Sequence, residues 1–330
     1  MIDIIEEIYN NSIITHAYII VAALIISIPL SLLQGVKQGA SIPLLWTVLN
    51  KLFLSTLIKL NAPNRTAQDL FLRGLVVICL FIGFATIVII ALNLALSSTG
   101  GRQIFEIIFL ALSIVTLRPY ILSHSIQKDL ASTTKKTLSA PLQKALSLST
   151  MRAVSTADES GYNRLLISLA TTNYARDFLL PLILYLIGGL PILLVGTLFT
   201  WLSYAIGRNT LTGPYTYITT VFEVLLRTIP DFIAATLLIM ASLIVPKAQF
   251  LSALHSISQT KCIQPLAILA HSLNLSIGGK QKSRFGDLIE SPWYGPSAAK
   301  AKIDRSALHR ALYLIGIAQL LSVFALALLL

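Results

Sequence analysis

The sequence predicts an all-α fold, a polytopic membrane bundle of about six helical spans with cytoplasmic helical loops. Three observations predict it. Hydrophobic residues make up 55% of the 330 positions and charged residues only 12%, where a soluble domain carries about 25% charged residues. The mean hydropathy is +0.78. Apolar runs of span length recur along the chain, and Lys and Arg gather in every second loop between them.

A span takes about 20 mostly apolar residues to cross the hydrocarbon core. Residues 13–34, 74–96, 105–123, 178–206, 229–245 and 311–330 each meet that requirement. The tail before the first run is acidic through Asp3, Glu6 and Glu7. It lacks the positive start of a signal peptide, so the first run reads as a retained span. Residues 43–60 carry Lys51 and Lys59 with helical apolar spacing, which fits an amphipathic helix at the interface or under the bundle. Residues 127–176 are mixed in character and read as a pair of helices. Residues 264–277 are apolar but too short to span.

The run 178–206 contains Gly188, Gly189, Pro191 and Gly196. It reads as one tilted, broken helix or as a hairpin, because freed backbone groups must find partners inside the bundle. As a hairpin it would switch the last basic loop to the other side and break the charge rule, so the single span is preferred, and it gives a clear charge asymmetry. Loops 35–73, 124–177 and 246–310 hold 5, 7 and 9 Lys/Arg, whereas loops 97–104 and 207–228 hold 1 and 2. The three basic loops then face the cytoplasm and both termini face outward. The whole chain is expected to be a single integral membrane domain with the lipid bilayer as its partner.

The net charge of +11 therefore belongs to membrane loops and not to a nucleic-acid-binding surface. Cys79 and Cys262 stand alone and form no disulfide or zinc pattern. No GxxxxGK[ST] loop and no HExxH pair occurs. Glu106 and Arg118 lie in the third run, about 18 Å apart along a helix, so they do not pair. Each is a functional candidate as an ionisable group in a span, or a residue near a span end that snorkels. Asp177 and Asp231 sit where spans are expected to start and read as N-terminal caps. Gly278-Gly279-Lys280, Lys282, Arg284 and Gly286 combine close-approach glycines with cations that suit phosphate.

The motif residues resemble a family. Asn173, Asp177, Leu180-Pro181-Leu182 and Ile187-Gly188-Gly189-Leu190-Pro191 resemble the E-N-x-x-D-G, A-P-L and I-G-G-x-P pieces of the membrane-bound adenosylcobinamide-phosphate synthases of cobalamin biosynthesis, the CobD/CbiB family. Arg152, Asp158-Glu159 and Arg164 resemble the R-D-T-S-x-L-D-E piece and the Arg that follows it. Glu223 falls at the first acid of a D-D pair, followed by Ile229-Pro230. Pro265, Leu273, Ile277-Gly278-Gly279, Phe285-Gly286 and Pro292-Trp293-Tyr294-Gly295 keep the family's C-terminal spacing. The likeness runs from about Ser41 to the last span. The departures are acidic positions: Ser168, Thr172, Ala153 and Val224 stand where the family has Glu or Asp, Asp177 lies one place off the family's Asp, and Thr200 to Ala205 replaces N-T-L-D-S-M.

The resemblance implies an ATP-dependent ligase that joins a carboxylate of adenosylcobyric acid to aminopropanol phosphate, with Mg²⁺ and ATP as cofactors and a corrinoid as substrate. It implies catalytic roles for Asp158, Glu159 and Glu223. It implies substrate or phosphate binding by Arg152, Arg164, Asn173, Gly278, Gly279, Lys280, Arg284 and Gly286, with the chain in a bacterial inner membrane. The lost acids also fit a second reading, an inactive relative that binds a ligand or partner, similar to AmpE-type inner-membrane proteins. A transporter is a third reading. The sequence shows no internal repeat and no charge in the middle of the expected spans to favour it.

Overall fold

The computed structural model describes residues 2–33, 41–60, 65–95, 99–132, 137–150, 152–154, 158–207, 215, 217–259, 264–282, 288–299 and 301–329. Six helical stretches are long and apolar enough to cross a membrane. The protein is a multi-pass membrane bundle of all-α architecture.

Helix α1 (Ile2–Leu33) packs along α4 (Thr99–Ser113), and α3 (Ala67–Ala95) lies against α8 (Leu180–Gly207). Between them α2 (Leu44–Leu60) buries Trp46, Leu49 and Leu57 and leaves Val48, Lys51 and Leu52 outward. This is the spacing of one helix face, and it matches the amphipathic reading of residues 43–60. Phe53, Phe81 and Trp201 meet ring to ring in one apolar core, and Trp46 meets Tyr204 beside them.

The third expected span is broken. α4 ends at Ser113 and α5 (Arg118–Ser132) begins after an irregular link. Pro119 explains the break: the residue before a proline avoids the α region, and proline suits a helix's first turn. The freed Val115 N–H donates to the carbonyl of Asp177 at 2.8 Å.

The basic segment 124–177 holds α6 (Ala140–Thr150) and α7 (Glu159–Thr172), the expected helix pair. α7 runs on through a π-helical segment, Asn173–Leu179, into α8. Pro181 has no N–H for the Asp177 carbonyl, and its ring crowds that carbonyl. The chain answers by widening: Leu180 N–H bonds Ala175 five residues back, and Val115 takes the Asp177 carbonyl.

Residues 178–206 form a helical hairpin and not the single span preferred on charge counting. Gly188 and Gly189 leave helical geometry, Gly189 with φ of 60°, a conformation that glycine adopts at no steric cost. The Arg176 guanidinium lies 5.6 Å from the Tyr204 ring, whereas 28 residues of straight helix would separate them by about 42 Å. A Cβ on Gly196 would collide with Leu184, so glycine is what lets the arms approach. Both ends of the segment therefore lie on the same side of its turn.

α9 (Tyr217–Ile244) packs on α8, on α11 (Pro265–Ser272) and on α12 (Arg305–Leu329), with α10 (Phe250–Gln259) beside α11. α11 is the short apolar stretch expected at 264–277, and it is buried along most of its length. The last basic loop is not wholly helical. β1 (Ile277–Lys282) and β2 (Leu288–Tyr294) pair antiparallel, with a register shift between Gly278 and Gly279.

Candidate functional site

Two neighbourhoods collect the chemistry. The first is an ionic core inside the bundle. The π-helical segment brings neighbours Arg176 and Asp177 face to face, which an α-helix does not do for adjacent residues. Arg176 donates to both Asp177 oxygens, at 2.7 and 2.9 Å. Its guanidinium also stacks 4.9 Å from the Trp46 ring and faces Tyr204. On α9, Arg227 bridges Glu223 at 3.6 Å and Asp231 at 3.4 Å, each one helical turn away. The Ser203 hydroxyl donates to Glu223. Arg118 donates to the carbonyl of Ile42 and lies within electrostatic reach of Asp177. Three guanidinium groups thus face three carboxylates, a neutral set.

This core overturns several sequence expectations. Asp177 is 1% exposed and inside a continuous helix, and Asp231 sits well within α9; neither caps a helix. Glu106 and Arg118 are 6% and 8% exposed, so neither snorkels. Glu106 accepts from Tyr185 at 2.6 Å and from Arg102 at 2.9 Å. As expected, it does not meet Arg118. Charges do occur inside the spans, because α7 to α8 and α9 extend well past the apolar runs that announced them.

Asn173 borders this core. Its amide donates to the carbonyl and hydroxyl of Ser41 at 2.9 and 2.6 Å, and the Ser41 N–H donates to the Ser149 hydroxyl at 2.7 Å. A recess lined by Trp46, Arg176, Asp177, Thr197 and Thr200 has room for about one water. Among the described residues, Trp46 Nε1, Thr197 Oγ1 and Asn173 Oδ1 are buried with no hydrogen-bond partner.

The second neighbourhood is the basic end. Arg164 on α7 stacks 5.3 Å from the Trp293 ring of β2 and donates to the Ala301 carbonyl at 2.9 Å. Gly278 and Gly279 have φ of 118° and 84°. A side chain at Gly278 would strike the Pro292 carbonyl, and one at Gly279 the Trp293 ring. Their glycine identity is thus accounted for by the hairpin itself. Lys280 is exposed and pairs in register with Glu290. Arg152 is half-buried, its Nη1 has no hydrogen-bond partner among the described residues, and burial holds its pKa below the usual arginine value. Arg284 and Gly286 lie outside the described residues.

The structure brings Arg164, Gly278, Gly279 and Trp293 together, and separately Asn173, Ser41 and the ionic core. It does not unite the three acids. Asp158 is the N-cap of α7, where its Oδ1 accepts from Gly161 N–H at 2.7 Å, with Glu159 in the first turn. Glu223 sits instead within electrostatic reach of Arg176 and Asp177, about 27 Å further along the helix by residue count. Among the described residues no three His, Cys, Asp or Glu side chains gather as a metal set. These acids do not fit one Mg²⁺ site. Sequence reasoning overlooked Arg176 and Arg227. The signal for Arg227 was present as Glu223, Arg227 and Asp231 at four-residue steps.

No family model, curated protein or solved structure matches the chain.

Proposed function

We propose that this protein is a membrane-embedded relative of the adenosylcobinamide-phosphate synthases that binds a phosphate-bearing ligand of the corrinoid pathway at its basic end. The observation that carries the reading is convergence. Arg164 belongs to one piece of the resemblance, and Ile277-Gly278-Gly279 and Pro292-Trp293-Tyr294-Gly295 to pieces more than a hundred residues downstream of it, and they meet around the Trp293 ring. Arg152, Arg164 and Lys280 supply cationic groups suited to phosphate oxygens. ATP-dependent amide formation is the reaction the resemblance implies for such a ligand. The membrane is a bacterial inner membrane in this reading, with the basic loops at 35–73 and 124–177 cytoplasmic; the hairpin at 178–206 removes the parity that put both termini on one side.

A specific observation favours a second reading, an AmpE-like binding or regulatory protein without catalysis. The acids left at family positions are engaged elsewhere: Asp158 as a helix cap and Glu223 in the ionic core. No reaction step is assigned to Mg²⁺, because these acids do not converge. Turnover by purified protein decides between the two. Adenosylcobyric acid, aminopropanol phosphate, ATP and Mg²⁺ are incubated with it and adenosylcobinamide phosphate is sought by mass spectrometry. Product above a heat-killed control establishes the ligase. Absence of product, alongside corrinoid binding that weakens in Arg164→Ala, establishes the binding protein. Absence of both sinks the proposal.

A further inference from the structure

The outer face where α9 ends and α12 begins carries a feature that neither neighbourhood uses. Two adjoining grooves of about 510 and 460 Å³ share His309 and Tyr313. One is walled by Tyr120, Leu312 and Gly316, the other by Lys247 and Arg310. His309, Leu312, Tyr313 and Gly316 follow the three- and four-residue spacing of a single helix face. The grooves thus form one trough, cationic at the top and apolar below.

We propose that this trough is a binding site for an anionic phospholipid, its phosphate held by Lys247 and Arg310 and one acyl chain lying along Tyr120, Leu312 and Gly316. Three observations carry the choice of occupant. The trough sits at the level where the apolar stretches of both helices end, at Ile244 and Arg305, which is where headgroups lie. Among the described residues that line it, the trough has two cations, Lys247 and Arg310, and no carboxylate. Lys247 is held at φ of 65° in the turn after α9, a conformation that side chains other than glycine adopt at a cost. Below the trough, Leu320 and Phe324 continue the same side of α12 at 67% and 62% exposure, an apolar track for an acyl chain. Gly316 leaves this track open: a Cβ there would meet only the Tyr120 hydroxyl, at 3.5 Å.

Full-length protein is purified in detergent and native mass spectrometry reads retention of phosphatidylglycerol against phosphatidylcholine. Preference for phosphatidylglycerol is expected at about 30-fold, the worth of two cations at an anionic surface. The double variant Lys247→Gln/Arg310→Gln is expected to lose that preference, while Lys302→Gln/Arg305→Gln, on the neighbouring turn, keeps it. Gly316→Leu leaves every charge in place but fills the trough, and it is expected to lower retention of the lipid. Size-exclusion profiles establish that each variant is folded. Equal retention of the two lipids by the parent protein overturns the proposal. So does displacement of the lipid by inorganic phosphate alone, or unchanged retention in both the charge and the glycine variants.

Discussion

Arg176→Met is the sharpest perturbation of the ionic core. It removes both hydrogen bonds to Asp177 and strands that carboxylate at 1% exposure. Breaking a buried ion pair from one side costs about 3–5 kcal/mol. Loss of the stacking on Trp46 adds about 1 kcal/mol or more in a desolvated site. Arg118 and Arg227 remain within electrostatic reach of Asp177 and soften the first cost. The expected total is therefore about 4 kcal/mol. The partner variant, Arg176→Met/Asp177→Leu, removes both charges, and its cost is expected near zero, since hydrophobic replacement of a whole buried pair is often neutral. The carbonyl that Val115 uses is untouched by either change. Unfolding in mixed detergent and SDS, followed by tryptophan fluorescence, reads both variants. A single variant within about 1 kcal/mol of the parent would mean that the pair behaves as a surface salt bridge. A double variant as damaged as the single would mean that shape and not charge was being measured.

Two further outcomes follow from the geometry. His271 is buried, and desolvation followed by nearby His255 holds its pKa below the ordinary value. The unfolded chain takes up a proton near pH 6.5 that the folded chain refuses, so stability is full above that value. It should fall by up to about 1.4 kcal/mol per pH unit below it, and His271→Leu should flatten that slope in the same SDS titration. The topology can be read by labelling in a variant without native cysteines. Lys144→Cys and Ser297→Cys should react with an impermeant maleimide from one side of inverted vesicles and Gln103→Cys from the other; opposite labelling of the first two refutes the arrangement.

The spans were legible because a bilayer imposes a length and composition that a sequence displays directly. α2 and α11 were legible for the same reason in reverse, being apolar but too short or too charged to cross. The hairpin was not. Gly188, Gly189, Pro191 and Gly196 signalled an interruption, but a bend and a reversal use the same residues. Only the approach of Arg176 to Tyr204 separates them. The break before Arg118 was announced by Pro119 and passed unread inside an apolar run. The ionic core was misread because Asp177 and Asp231 were placed at helix starts. Their helices begin earlier, in polar sequence that hydropathy does not count as span. Arg164 meeting Trp293 depends on two segments far apart in sequence, and nothing local to either marks the other.

The charge count and the hairpin together bear on how the chain is threaded. The count that placed the three basic loops on one side assumed that residues 178–206 cross once. A hairpin crosses an even number of times, so that assumption fails. Contacts show which of these segments lie together. Asn173 bonds Ser41, which ties the loop at 35–73 to the segment at 124–177. Asn163 donates to the Ile303 carbonyl at 3.1 Å, and Ser160 accepts from Ile303 N–H at 2.8 Å, which ties 124–177 to 246–310. The ionic core sits at the join between this end and the hairpin. Asp177 belongs to its entry, Tyr204 to its exit and Trp46 to the helix beneath, and Arg176 touches all three. A neutral set of charges supplies little net stability after desolvation. What it fixes is where the hairpin returns, and with it the position of Asn173 beneath the basic loops.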